Sequence, residues 1–392
     1  MIHHCKSCLM PSSRPRVVFT DGECNACVYA REKKEIDWDD RAREFRALLD
    51  SRPRTGAYDC VVPFSGGKDS ATVAWRLREF GLRPLLACYG QLLWTDVGRH
   101  NLHLCADAGF DILYWRTDQR VSRALARRFF IERGHPKQHY DAAVNAVPVL
   151  TAKAFNIPLI FYAEHGETEY GGLVLSEESR RVRSLVEVLE HQVGDDARNW
   201  AVGDISERDL FPYVYPPDVS GLTAYYFSYF FPWDIYENAK LAREVMGFEQ
   251  ADSGPIGLPM RDIPDVVSTK PGDYFPLYIP YWFGKSDGSF EGYDSIDDKI
   301  DDLDFYMMHI KFGFGRATRQ ASRLIQNGHL TREQGLELVR LYDGEFPETY
   351  LDDVLDYLSM DRDELMEIID LHRNPEIWTK EGAEWKLRHP PR

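Results

Sequence analysis

Two short patterns in this sequence have the residue types and spacing to do chemistry. The first is "SGGKDS", residues 65–70, which follows the apolar run "DCVVPF". Adjacent glycines let a backbone turn sharply and approach a ligand without Cβ clashes. The N–H groups at the start of the helix that follows would hold an anion, helped by the helix dipole. Ser65 and Ser70 add hydroxyl donors and Lys68 adds positive charge. Ser65, Gly66, Gly67, Lys68, Asp69 and Ser70 therefore read as a phosphate-binding set. Asp69 suits a polyanion site only if it holds Mg²⁺ or orients the loop through a hydrogen bond. The spacing is neither that of the Walker loop nor that of the dinucleotide fingerprint. A tight turn into a ligand-free helix accounts for the glycines, but not for Lys and Asp together.

The second pattern is Cys5-Lys6-Ser7-Cys8 and Cys24-Asn25-Ala26-Cys27, a C-x2-C-x15-C-x2-C arrangement. Two such knuckles bring four thiolates around one tetrahedral Zn²⁺ and leave no open position, so the site reads as structural. An iron–sulfur cluster takes the same ligands. His3 and His4 stand beside the first pair, but two cysteine pairs suffice without them. Cys60, Cys88 and Cys105 lie singly in strand or helix patterns and read as small core residues.

Two further stretches carry charge where a site could use it. "YAEHGETEYGG" puts Glu164, Glu167 and Glu169 after an apolar run, at the carboxyl edge of a strand, where open α/β sheets bind ligands. Glu167 and Glu169 are the candidate catalytic carboxylates, with a solvated acidic loop as the alternative. "HIKFGFGRATRQAS", residues 309–322, sets Lys311, Arg316 and Arg319 among Phe312, Phe314 and two glycines. Lys311 and Arg316 are the candidate substrate-binding cations, since Arg forks onto carboxylate or phosphate. A helix cap against a packed aromatic pair is the alternative.

The elements that must position these residues follow from periodicity. "YDCVVPFS", "RPLLACYG", "DILYWRT" and "IPLIFYAE" read as strands alternating with helices such as "SATVAWRLREFG" and "NLHLCADAG". That alternation predicts βαβ units and a parallel sheet. The chain divides into a four-cysteine zinc module over 1–35, a linker helix over 36–56, and an α/β nucleotide domain over 57–205. An aromatic-rich substrate region over 206–297 and a helical region over 298–392 complete it. "SEESRRVRSLVEVLEHQV" reads as a charged helix.

The chain has 392 residues, enough for a large core. With 63 acidic against 47 basic side chains its formal charge is -16. Such a surface repels polyphosphate and argues against nucleic acid as a partner. No run of eighteen apolar residues predicts a membrane span, and the start lacks the apolar core of a signal peptide. Paired cysteines that read as metal ligands indicate a reducing cytoplasm.

At "SGGKDS" the sequence resembles the PP-loop of the ATP pyrophosphatase superfamily, on the adenine-nucleotide α-hydrolase fold. With "CKSCLMPSSRP…DGECNAC", "GETEYGG", "FPWDIYENAKLA", "DDKIDDLDFYMMHIKFGFGRATRQAS" and "RNPEIW", it resembles the N-acetyl sugar amidotransferase family. This resemblance implies that residues 65–70 bind ATP with Mg²⁺ and that Cys5, Cys8, Cys24 and Cys27 bind zinc. It also implies that an acetamido group of a sugar becomes an acetamidino group, for bacterial surface polysaccharide or nonulosonate pathways such as those of pseudaminic and legionaminic acids. Ammonia would come from a separate glutaminase and cyclase-like pair, because no cysteine here sits as a glutaminase nucleophile. A PP-loop tRNA thiolase and a catalytically silent nucleotide-binding scaffold are the competing readings.

Overall fold

The computed structural model describes residues 2–52, 56–174, 176–184, 188, 194–249, 251 and 294–392. Part of the charged segment, 185–187 and 189–193, and residues 252–293 of the aromatic-rich region lie outside the described residues.

A two-stranded ribbon, β1 (Phe19–Thr20) and β2 (Glu23–Cys24), leads into helix α1 (Asn25–Glu32) and then α2 (Trp38–Asp50). The central sheet is built from β3 (Cys60–Phe64), β4 (Pro84–Tyr89), β5 (Asp111–Trp115), β6 (Leu159–Tyr162) and β7 (Thr223–Tyr226). Its spatial order is β5-β4-β3-β6-β7, and every neighbouring pair is parallel. The chain therefore moves outward from β3 through β4 to β5, then returns to the other side of β3. The reversal lies between β3 and β6, and a doubly wound sheet opens its binding crevice at the carboxyl ends of that pair. The crossover helices are α3 (Lys68–Glu79), α4 (Asp96–Asp107), α5 (Gln119–Arg133) and α6 (Gln138–Ala154).

Pro63 is unexpected inside a central strand, because it gives the ladder no N–H. The β3–β6 ladder registers Val61 against Ile160, and Pro63 lies beyond that pair. The strands can separate there, at the mouth of the crevice. β7 was hidden in the aromatic stretch, since "TAYY" has no alternation and is buried at three of its four positions. Short helices α7 (Gly166–Glu169), α8 (Glu177–Arg181) and α9 (Phe227–Phe230) join the longer α10 (Ile235–Met246) around this edge.

Each sheet face carries its own core. Val61, Leu85, Ala87, Ile160 and Ala224 pack with Val121, Leu125 and Phe129 of α5 and Ala143 and Val147 of α6. Val62, Phe64, Leu86 and Phe161 pack on the other face with α2, α3 and α10. The segment read as a linker thus contributes to the core. Phe45 of α2 is fully buried and lies 5.0–5.9 Å, ring to ring, from Phe80, Phe161, Phe227, Phe230 and Phe231. Helices Asp301–Phe312, Arg316–Gln326, Arg332–Tyr342, Leu351–Leu358 and Arg362–Leu371 follow, as expected of a helical region. The chain then ends in an antiparallel hairpin, β8 (Trp378–Glu381) with β9 (Glu384–Leu387), which the helical reading did not include.

Phe45→Ala removes a ring with five aromatic neighbours. It should lower the unfolding free energy by about 3–5 kcal/mol, read as a drop in the urea midpoint with an unchanged slope.

Candidate functional site

The loop after β3 is shaped by its first glycine. Gly66 has φ +96, and a Cβ there would lie 3.4 Å from the Trp94 ring. Trp94 is fixed in turn by a hydrogen bond from its Nε1 to Tyr114 Oη, 3.0 Å. Gly67 donates its N–H to Ser65 Oγ, 3.1 Å, and serves as N-cap of α3 without any side-chain cap. Ser70 donates to the Gly67 carbonyl, 3.0 Å. Gly67 gives α3 no side-chain cap, and Gly67, Lys68, Asp69 and Ser70 line the crevice, so the start of this helix has the form that can accept a phosphate.

Lys68 is buried, yet its Nζ lies 2.7 Å from Asp69 Oδ2 and 2.8 Å from Asp294 Oδ1. Burial opposes its charge, but the two carboxylates outweigh burial and hold the ammonium protonated well above the usual lysine range. Burial likewise works against ionised Asp294, and Lys68 and Arg319 overcome it, holding that carboxyl below its usual range. Asn238 of α10 donates to Asp69 Oδ1 at 2.8 Å. The loop is thus bound to segments 169 and 226 residues away in sequence.

A cavity of about 460 Å³ opens above the loop. Ser65, Gly67, Lys68, Asp69 and Ser70 line one end, with Asp294 and Arg319. Tyr162, Tyr226, Asn145 and Arg183 line the other, and Glu164 and Tyr170 lie along the β6 edge. The Arg183 guanidinium stacks over the Tyr162 ring at 3.8 Å. Three cations and several aromatic faces suit an anionic nucleotide and a second polar ligand. A hollow of similar size, about 510 Å³, sits at the opposite, amino edge of the sheet near Tyr58, Phe155 and Leu222. It holds no part of either motif.

The other expected site residues take different places, and none of the four lines the cavity. Glu167 pairs with Arg16 at 2.9 Å and accepts the Leu173 N–H at 2.7 Å. A Cβ on Gly172 would meet its Oε2 at 1.8 Å, so a larger residue there would displace this carboxylate. Glu169 is buried between Arg323, 2.7 Å, and Lys33, 3.0 Å. Burial would raise its pKa, but Arg323 and Lys33 together lower it. Arg316 is buried against Asp302 at 3.0 Å and donates to the Ser295 carbonyl at 2.7 Å. Lys311 donates to the Arg133 carbonyl at 2.9 Å. Positions 167, 169, 311 and 316 thus meet protein partners rather than this cavity, and from the helix Arg316–Gln326 it is Arg319 that lines it. Sequence reading also missed Asp294, Arg183 and Asn145, for which no local pattern exists.

The four knuckle cysteines converge. Their sulfurs lie within 4.8 Å of one another and all four residues are buried. Cys5 and Cys27 Sγ are 3.7 Å apart, and Cys8 and Cys24 Sγ 3.6 Å. A tetrahedral ion with metal–sulfur bonds of about 2.3 Å needs sulfurs about 3.8 Å apart. The N–H groups of Cys8 and Cys24 point at Cys5 Sγ, and that of Met10 at Cys8 Sγ, as thiolate charge would require. The set therefore fits zinc. His3 packs on Phe19 and is not part of the cluster. The knuckle rests on the C-terminal helices through Phe314 and through Arg332, whose Nε donates to the Cys8 carbonyl at 3.0 Å.

Residues 287–390 match the family described as LPS biosynthesis protein WbpG-like, C-terminal domain. No curated protein matches the chain. The match associates the chain with surface-glycan biosynthesis and with an enzyme's part in it. Asp294 and Arg319, which line the cavity with the glycine loop, lie within the matched stretch. Among the described residues no helix is long and apolar enough to cross a membrane.

Two outcomes follow. Metal analysis of purified protein should find about one zinc per chain, with Cys24→Ser losing most of it, because one tetrahedral shell takes four thiolates. Glu169→Gln should cost about 3–5 kcal/mol, because it orphans buried cations. Since Glu169 titrates lower folded than unfolded, its contribution is present above the ordinary carboxylate pKa and disappears as pH falls through the folded value. Acid denaturation curves of wild type and Glu169→Gln should therefore converge at low pH.

Proposed function

We propose that the chain is an ATP-dependent amidotransferase that converts the acetamido group of a sugar into an acetamidino group, cleaving ATP to AMP and pyrophosphate. One observation carries this reading. A glycine turn at the topological switch point brings a helix start without a side-chain cap and a buried lysine to a cavity of about 460 Å³. The match of residues 287–390 to a family of LPS biosynthesis supports a surface glycan as the setting.

In this reading residues 65–70 hold the β- and γ-phosphates. Lys68 and Arg319 offset the charge that builds on departing pyrophosphate. The acetamido oxygen attacks the α-phosphorus, pyrophosphate leaves, and AMP becomes bonded to the amide oxygen. Ammonia then adds to the amide carbon and AMP departs with the C–O bonding electrons. Asp69 and Asp294 are the carboxylates beside the loop that would hold Mg²⁺, which when bound supplies further charge neutralisation at the phosphates. The protein's work is mainly positioning, in a partly water-shielded cavity. Ammonia is supplied by a glutaminase partner.

A tRNA thiolase would use the same loop, but with an accessible thiol or cluster besides. Cys60, Cys88 and Cys105 are fully buried, and burial pushes the Cys105 thiol up to about 12. The charge of -16 also opposes tRNA.

Incubation with ATP, Mg²⁺, ammonium and a panel of N-acetyl sugars should give AMP, pyrophosphate and a product in which NH replaces O by mass. Production of ADP rules out α–β cleavage. Lys68→Gln, which can still hydrogen-bond Asp69 and Asp294, should fold while turnover falls about 10²–10³-fold, the range for losing one positioned charge-stabilising donor.

A further inference from the structure

Three glutamates cluster after β6, and the structure gives them three environments. Glu169 lies between two cations and Glu167 is paired with Arg16. Glu164 has no ion pair among the described residues, and its one hydrogen bond is to a neutral group: Tyr170 Oη donates to Oε1 at 2.8 Å. Glu164 lines the cavity. Glu164 lies two residues past the end of β6, and the loop after β3 lines the same cavity through Ser65.

A carboxylate beside a phosphate loop repels the phosphates, so Glu164 does not serve to hold them. Without a cation at ion-pair distance among the described residues, it also stands outside the ion pairs that hold Glu167 and Glu169. What it can do there is exchange a proton with a ligand. The groups facing it are Lys68 and Asp69 from α3, Tyr170 after α7, and Arg319 and Arg323 from the helix Arg316–Gln326. Burial and the Asp69 charge push its carboxyl up to about 7, against the pull of Arg323 and Lys68. That is where a general base works best at neutral pH.

We propose that Glu164 is the catalytic proton acceptor for the nitrogen nucleophile; this rests on the amidotransferase reading above. Ammonia adds its lone pair to the adenylylated amide carbon, making a C–N bond and leaving the new nitrogen with three hydrogens and a positive charge. The Glu164 carboxylate takes one of those protons. The nitrogen lone pair so released expels AMP as the C–O bond breaks, leaving an amidinium, and Glu164 later returns its proton to solvent.

The test uses the full chain with ATP, Mg²⁺, ammonium chloride and the N-acetyl sugar from the panel that the wild type converts. E164Q should lose ammonium-dependent amidine formation about 100-fold or more, the range for a positioned proton acceptor. Sugar-dependent exchange of labelled pyrophosphate into ATP should stay within a few-fold, because that exchange precedes nitrogen attack. At constant free ammonia, with total ammonium adjusted at each pH, the wild-type rate should rise with pH through about 7, and E164Q should lack this limb. E164D should restore part of the rate. Hydroxylamine, whose conjugate acid is far more acidic than ammonium, should narrow the gap between E164Q and wild type. Amidine formation by E164Q within a few-fold of wild type overturns the assignment. So does an equal loss of exchange and amidine in both E164Q and E164D, which would make Glu164 part of the ATP site. A wild type that forms no AMP with any sugar overturns the amidotransferase reading itself, and this assignment with it.

Discussion

The buried carboxylate of Glu169 is the constraint on which the site's geometry depends. It lies within ion-pair distance of Lys33, which follows the cysteine knuckle, and of Arg323, in a helix near the C-terminal end. Arg323 also donates to the Glu169 main-chain carbonyl at 2.6 Å, and Lys33 to that of Trp233 at 3.3 Å. Charges buried this deeply are costly apart and offset one another only in close geometry. The three segments they come from are therefore held together at the carboxyl edge of β6. Tyr170, next in sequence to Glu169, reaches back to Glu164. The triad thus fixes the wall of the cavity without touching its interior.

The knuckle strengthens the same junction. Arg14 donates to the Gly171 carbonyl at 2.7 Å, and Asn25 donates to the Gly172 carbonyl. The knuckle's other side meets the C-terminal helices, where Leu9 N–H donates to Ser322 Oγ at 3.4 Å and Ser13 Oγ to the Phe312 carbonyl at 2.6 Å. A small cysteine module cannot bury much apolar surface by itself. A four-thiolate site gives it a rigid shape, and that shape serves as a bracket between the sheet crest and the C-terminal helices. The sequence positions of its ends, far apart along the chain, are what make a bracket necessary.

What was readable from sequence was what short-range physics dictates. The strands from β3 to β6 announced themselves as apolar runs between turns, the tight loop after β3 as glycines between strand and helix, and the knuckle as paired cysteines at a fixed spacing. What was not readable depended on partners distant in the chain. Arg316, Arg319 and Arg323 share one helix face by their spacing, yet Asp302 takes the first, Glu169 takes the last, and only Arg319 is left for the cavity. Nothing local separates Glu164 from Glu167 and Glu169; the difference is Arg16, Lys33 and Arg323. β7 was missed because a strand buried on both faces and rich in tyrosine has no period to read. The closing hairpin was missed because "EGAEW" signals its turn with one glycine among charged residues.

The same long-range dependence bears on how the site is made. Lys68 meets Asp294 across 226 residues, and Gln91 meets Asp297 across 206. Leu92 and Leu93 donate their N–H groups to Asp298 at 3.0 and 2.9 Å. The α/β sheet and its glycine turn could form from local units, but the wall facing the turn comes from the region that matches the LPS biosynthesis family. Loop-closure entropy must be overcome before such contacts stabilise anything. The glycine loop would therefore take its final surroundings only after the C-terminal helices dock. The glycine turn and the wall that faces it are in this way not separable modules along the chain. A buried lysine with acids from both regions makes them one electrostatic unit.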